Sequence, residues 1–207
     1  MKHQENSHID RRIIRTRKAI KDAFVDLLAE KPLEKITITA LAQRADIDRK
    51  TFYTHYTSID DLLKDYLIDS ISDVLEDMSL RDLIIDPATF ARRYLSILTS
   101  DQLTTEQRQR MFKHVPPDKL IYYFTEITRD QLYASEDSIA PEKRAYLDLI
   151  LEFYLGGIFN ACTYMLSRDV ALTSPEAIET LTMCITHGLT GIVNRHLLFS
   201  DKPLTNV

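Results

Sequence analysis

All seven prolines of this 207-residue chain stand between, not within, stretches whose apolar residues recur at helical spacing. They are Pro32, Pro87, Pro116, Pro117, Pro141, Pro175 and Pro203. Proline ends a helix or opens its first turn, so these positions punctuate a chain of helices. No alternating strand pattern of useful length, low-complexity tract or internal repeat interrupts them. The expectation is an all-α fold of about nine helices. The first runs Asp10–Glu30, with the apolar stripe Ile13, Ile20, Ala23, Phe24 and Leu27. Two short ones follow, Thr39–Ala45 and Arg49–His55. Ser58 caps a long fourth helix striped by Ile59, Leu62, Leu63, Tyr66, Ile71, Val74, Leu75 and Met78. Later helices are expected from Pro87 to Thr99, over Thr104–His114, Pro117–Ala134 and Pro141–Arg168, and from Pro175 to Phe199.

The 141–168 helix is apolar on two sides: Tyr146, Leu149, Phe153 and Tyr164 on one, Leu147, Leu151, Tyr154, Ile158 and Cys162 on the other. A helix apolar all round is buried all round. All four glycines, Gly156, Gly157, Gly188 and Gly191, lie in the last two helices. Each costs a helix roughly 0.8–1 kcal/mol against alanine, which close approach of another helix would offset. These glycines are therefore expected at a homodimer interface, internal packing being the alternative.

Composition narrows the chemistry. Hydrophobic residues make up 44% of the chain, enough for a core, but no apolar run approaches the roughly 20 needed to span a bilayer. The start, MKHQENSHIDRR, has no apolar signal core, so a cytoplasmic location is expected. Cys162 and Cys184 sit in apolar helical patterns and read as buried thiols. Cys184 and His187 are spaced like two metal ligands on one helix face, but no third ligand is evident, so no metal is expected. There is no Gly-rich phosphate loop, no GxSxG and no HExxH, and spacings such as Asp61 and Asp65 read as solvated helix face. The chain is not expected to be an enzyme, nor to carry a cofactor.

Charge is distributed unevenly. Residues 1–56 hold 12 Lys+Arg against 8 Asp+Glu, net +4, whereas residues 57–207 hold 14 against 23, net −9. A basic head on an acidic body suits a chain of which one end meets phosphate. That head contains the stretch from Thr37 to Tyr56. In it Ile38, Leu41, Ala42 and Ala45 form the buried side of one short helix, and Ile47 plugs a turn. Asp48 caps the next helix, which buries Phe52 with Tyr56 behind it. The opposite side presents Arg49, Lys50, Thr51, Tyr53, Thr54 and His55. A helix this short cannot stand alone, but it can mount side chains for a major groove about 12 Å wide.

The segment Asp10–Leu63 resembles the N-terminal domain of TetR/AcrR-family transcriptional regulators. The shared pattern is a basic first helix, Ile-Thr-x-x-x-Leu-Ala-x-x-Ala from Ile36, Thr-Phe-Tyr-x-His-Tyr from Thr51, and an apolar helix opening Ile-Asp-Asp-Leu-Leu at Ile59. The resemblance implies a helix-turn-helix DNA-binding domain over residues 1–57 and a ligand-binding and dimerisation domain over 58–207. It places Tyr53 and His55 on DNA backbone or a thymine methyl, and Arg49, Lys50 and Thr51 at base-reading and phosphate positions, with Thr54 on the same face. It places Thr37 or Thr39 on a phosphate, and Arg17 along the backbone or in an adjacent groove. Two positions depart from the family pattern: Asp46 stands where the turn uses glycine, and Ile59, followed by Asp60 and Asp61, replaces a phosphate-anchoring lysine. Weaker operator binding is the expected consequence.

The implied function is a repressor released from a palindromic operator by a small molecule, probed through Tyr94, His114, Tyr123 and Tyr154, whose apolar bodies and polar tips suit an apolar or aromatic effector. The alternative is a TetR-like coregulator acting through a protein partner.

Overall fold

The computed structural model describes residues 11–76, 78–79, 86, 88–90, 92–93, 105–134, 140–167 and 179–184. Every regular element among them is helical. The order is α1 (Arg11–Glu30), a 3-10 turn (Leu33–Lys35), α2 (Ile38–Arg44), α3 (Arg49–His55), α4 (Ile59–Glu76), α5 (Thr105–His114), α6 (Pro117–Ala134) and α7 (Pro141–Ser167). Residues 88–90 and 179–184 are helical as well. The expected Tyr94, Gly188, Gly191 and His187, and the 175–199 helix beyond residue 184, lie outside the described residues. No helix among the described residues is long and apolar enough to cross a membrane.

The head forms because α2 and α3, seven residues each, have no stable existence apart from a shared core. Ile20, Phe24, Leu41, Phe52, Leu62 and Leu63 are all fully buried together. Removing so large a ring as that of Phe52 costs roughly 3–5 kcal/mol, so this single side chain fixes α3 to the rest of the head. The core runs on without a break through Leu67, Ile71 and Leu75 of α4 to Leu120 and Leu132 of α6 and Leu147 and Leu151 of α7. The first half of α4 thus packs with the head and its second half with the body. In the body α6 lies along α7, α4 along α6, and α5 against α1.

Four expectations need correcting. Ile13 is 45% exposed and does not join the buried α1 stripe; it lines an open cleft between α1 and α4. On α4 the buried set gains Leu67 and leaves Ile59 and Tyr66 half-buried. On α7 one side is buried through Leu147, Ile150, Leu151, Leu155, Ile158 and Phe159, but Tyr146, Leu149, Phe153 and Tyr164 are 50–73% exposed. The helix is covered by α6 on one side and by nothing in this chain's described residues on the other. The exposure of Cys184 likewise contradicts its reading as a buried thiol; its helical segment presents that face outward in the single chain. The Cys162 side chain lies outside the described residues.

Candidate nucleic-acid interface

The turn between α2 and α3 is held by backbone bonds, Ile47 N–H donating to Ala42 O at 2.9 Å. It needs one left-handed residue, and Asp46 supplies it at φ 54°, alone among the described non-glycine residues. Aspartate tolerates that region better than most side chains. Asp48 then caps α3: its carboxylate accepts from the Thr51 N–H at 2.7 Å and from the Thr51 hydroxyl at 3.1 Å. The backbone bond, with the hydroxyl second, holds the Asp48 carboxyl below its ordinary range. Thr37 caps α2 in the same way, accepting from Ala40 N–H at 3.2 Å.

These caps decide what each residue of the face has left to offer. Arg49, Lys50, Tyr53 and Thr54 are exposed on α3, while Thr51 and His55 are half-exposed. Tyr53 stands edge-on to the buried Phe52, with ring centroids 5.7 Å apart, which fixes its ring while half its surface stays open. The hydroxyls of Thr51 and Thr54 are turned inward as donors, the first to Asp48 and the second to the carbonyls of Lys50 and Thr51. Thr37 uses an acceptor lone pair for its cap and keeps its proton for an outside oxygen. Thr39 is exposed beside it.

Arg17 is engaged within the protein. Its guanidinium donates to Asp65 at 2.6 Å and lies over the Tyr56 ring, 5.6 Å from the centroid. Tyr56 OH donates to the other Asp65 oxygen at 2.7 Å, and Lys21 pairs with Asp65 at 2.7 Å and with Asp69. Partial burial works to raise the Asp65 carboxyl, but the bonds from Arg17, Lys21 and Tyr56 outweigh it and hold it below the ordinary range. Burial, followed by the bond to Asp65, pushes the Tyr56 phenol up. Asp65 is therefore no solvated face residue. It ties α1, the end of α3 and α4 into one unit.

The start of α4 is also more occupied than its acidic sequence suggests. Ser58 accepts from Asp61 N–H at 3.0 Å, while Asp61 accepts from the Thr57 N–H at 2.8 Å and hydroxyl at 3.1 Å. Asp60 pairs with Lys119 of α6 at 2.5 Å. Ile59 is half-buried against the core.

In the body, three of the residues considered for an effector, His114, Tyr123 and Tyr154, are described. His114 Nδ1 bonds the Leu28 carbonyl at the end of α1. Tyr123 and Tyr154 pack half-buried at the core edge, the latter edge-on to Phe153. Two clefts among the described residues lie elsewhere. One of about 630 Å³ runs between α1 and α4, past Ile13, Arg17, Lys21 and Tyr66. The other, about 330 Å³, lies where the 3-10 turn, α4 and Lys119 meet.

Residues 20–66 match the model of the tetR family of bacterial regulatory proteins. The match lies wholly within the first third of the chain, which is similar there to that family. Over 163 residues it is 29% identical to the uncharacterized HTH-type transcriptional regulator YxbF of Bacillus subtilis (strain 168). That alignment covers 74% of this chain but 41% of the relative, so the chain spans less than half the length of YxbF. Among solved structures, native NalD, the secondary repressor of the MexAB-OprM multidrug efflux pump in Pseudomonas aeruginosa, aligns at a TM-score of 0.52 and 19% identity. It covers 84% of this chain and 95% of that one. A second NalD structure gives 0.52 at 18% identity over the same shares. At this identity the likeness establishes a shared all-helical fold. The match begins at Ile20 within α1 and ends at Tyr66, and so takes in the turn, α3, Asp65 and the start of α4.

Sequence reasoning missed Tyr56 and Asp65 as a joint and Lys119 as a contact of the head. One signal was present: Arg17 and Lys21 stand four apart on α1, and Asp65 and Asp69 four apart on α4, a complementary pair of one-turn spacings. The Asp60–Lys119 pair, 59 residues apart, has no local signal.

Proposed function

We propose that this chain is a homodimeric DNA-binding transcriptional regulator of the bacterial cytoplasm, a repressor that a small molecule releases from a roughly palindromic operator. The observation that carries the DNA-binding reading is α3 itself. It buries one side chain, Phe52, is capped at Asp48, and offers Arg49, Lys50, Tyr53 and His55 on a face nothing else in the described chain covers. Capped on a rigid core, such a helix suits entry into a major groove, where Arg and Lys match guanine edges and hydroxyls match phosphates.

Dimerisation is supported by α7. Its Tyr146, Leu149 and Phe153 stand exposed at helical spacing with Gly156 and Gly157 in line. A Cβ built on either glycine meets nothing within 4 Å, so this chain's own described packing does not require them. A second copy would bring two α3 helices to successive major grooves, about 34 Å apart. The effector belongs to the body by this reading, its chemistry open between apolar and aromatic.

The test is selection of bound fragments from genomic DNA by the purified chain, followed by anisotropy titration on the selected fragments. Affinity at least a hundredfold above random duplex is expected, falling steeply with salt. Equal affinity for selected and random fragments overturns the reading.

A further inference from the structure

We propose that Lys119, a residue of the body, is a positioning residue for DNA binding: through its ion pair it cancels the charge of Asp60 at the rim of the DNA face. A shift of α6 away from α4 would then uncover that charge and weaken the complex. The inference rests on the DNA-binding reading of α3 above and names a device by which the body acts on it.

Chain connectivity places Asp60. Three residues separate the end of α3 at His55 from the start of α4 at Ile59, so the first turn of α4 stands beside the surface that carries Tyr53 and His55. Two acids occupy that turn. Asp61 is spent on the cap, accepting two bonds from Thr57. Asp60 takes no part in the cap, and its compensation comes from Lys119, which reaches across from α6 with Nζ 2.5 Å from Oδ1. Both side chains keep part of their surface in solvent and line the cleft of about 330 Å³ between head and body. Other ionisable groups near Lys119 are Asp118 on its own helix and the Tyr123 phenol, which is uncharged at neutral pH; the next ion pair between the two helices is Lys64–Glu126, at 3.5 Å, further along α4.

The energetics favour an electrostatic role over a structural one. An ion pair this open contributes little to folding. A lone carboxylate within a Debye length of about 8–10 Å of a phosphate nevertheless raises the cost of bringing DNA near, in a salt-dependent way. The same two charges thus matter little to the free protein and more to the complex.

The experiment compares the wild-type chain with Lys119→Met, Lys119→Arg, Asp60→Asn and the double variant Asp60→Asn/Lys119→Met, by anisotropy titration on the selected fragment at several salt concentrations. Lys119→Met should weaken binding about three- to tenfold at low salt, the deficit shrinking as salt rises. Lys119→Arg should bind like wild type. Asp60→Asn should bind at least as tightly as wild type, and the double variant should recover the affinity that Lys119→Met loses. Thermal melting separates this from misfolding, since all four variants should melt within a few degrees of wild type. Wild-type affinity in Lys119→Met, or a double variant as weak as Lys119→Met, overturns the proposal while leaving the DNA-binding reading intact. Should Lys119→Met fold poorly, a double variant that binds like wild type or more tightly still supports the proposal, and a weaker one overturns it. A wild-type chain that selects no DNA instead overturns the reading of α3.

Discussion

At the scale of single residues, α3 depends on two aspartates with opposite duties. Asp46 endures a left-handed backbone at φ 54° so that the chain can reverse between α2 and α3. Alanine there keeps the strain and loses the local polar compensation, and should cost about 1 kcal/mol in urea unfolding; Asp46→Gly should fall within about 0.5 kcal/mol of wild type, since relief of strain and the flexibility of the unfolded chain offset each other. Asp48 does the reverse, adding bonds where the helix begins. Its carboxyl is held below its ordinary value of 3.8 by the Thr51 N–H and then the Thr51 hydroxyl. A depressed carboxyl stabilises the fold above its unfolded value and loses that contribution as pH falls through its folded one. Wild type should therefore melt above Asp48→Ala at pH 7, with the gap closing below pH 3.8. A gap that is constant with pH would mean that the cap is not ionic. Both aspartates were legible in the sequence, because turn and cap chemistry are local and a residue's neighbours in the chain supply its partners.

Between elements, the joint at Asp65 decides how α3 is aimed. Arg17 and Lys21 reach it from α1 and Tyr56 from the end of α3, so one carboxylate sets the angle among three helices. Removing it as Asp65→Ala leaves two cations and a phenol without their acceptor. With solvent access at both cations discounting the loss, about 1–2 kcal/mol of stability should disappear, and Tyr56→Phe should lose about 1 kcal/mol or less. DNA affinity should fall further than stability if the joint aims α3; equal melting with unchanged affinity in Asp65→Ala would refute its role. The elements themselves were readable from periodicity and proline placement, down to the bounds of α6 and within one residue for α7. The joint was not. The periodicity of α4 names a buried face and a solvated face, and Asp65 lies at their border, where only the approach of α1 decides whether a carboxylate meets water or arginine. Ile13 was misplaced for the same reason in reverse: its spacing is right, but it faces an open cleft between α1 and α4.

For the whole molecule, the unfinished surface is the outer side of α7. The sequence pattern spoke of a helix buried all round, and one chain buries one side. That difference is informative because apolar rings left in water are costly. Phe153 is 73% exposed and Leu149 67%, and at roughly 25 cal/mol per Å² covering such side chains favours association. An interface of standard size covers about 800 Å² on each partner. This stripe alone falls short of that, so the contact has to draw on neighbouring surface as well. Phe153→Asp introduces a charge at the centre of the stripe, at a position that makes no contribution to the buried side of α7. It should leave the melting of a single chain nearly unchanged while converting a dimer to monomers in sedimentation equilibrium. The DNA consequence follows from geometry: a monomer presents one α3 and reads one half-site, so affinity for the selected fragment should drop at least a hundredfold and the salt slope should fall to about half. A Phe153→Asp chain that remains dimeric would place the interface elsewhere, and one that becomes monomeric yet binds with wild-type affinity would show that a single α3 suffices for recognition.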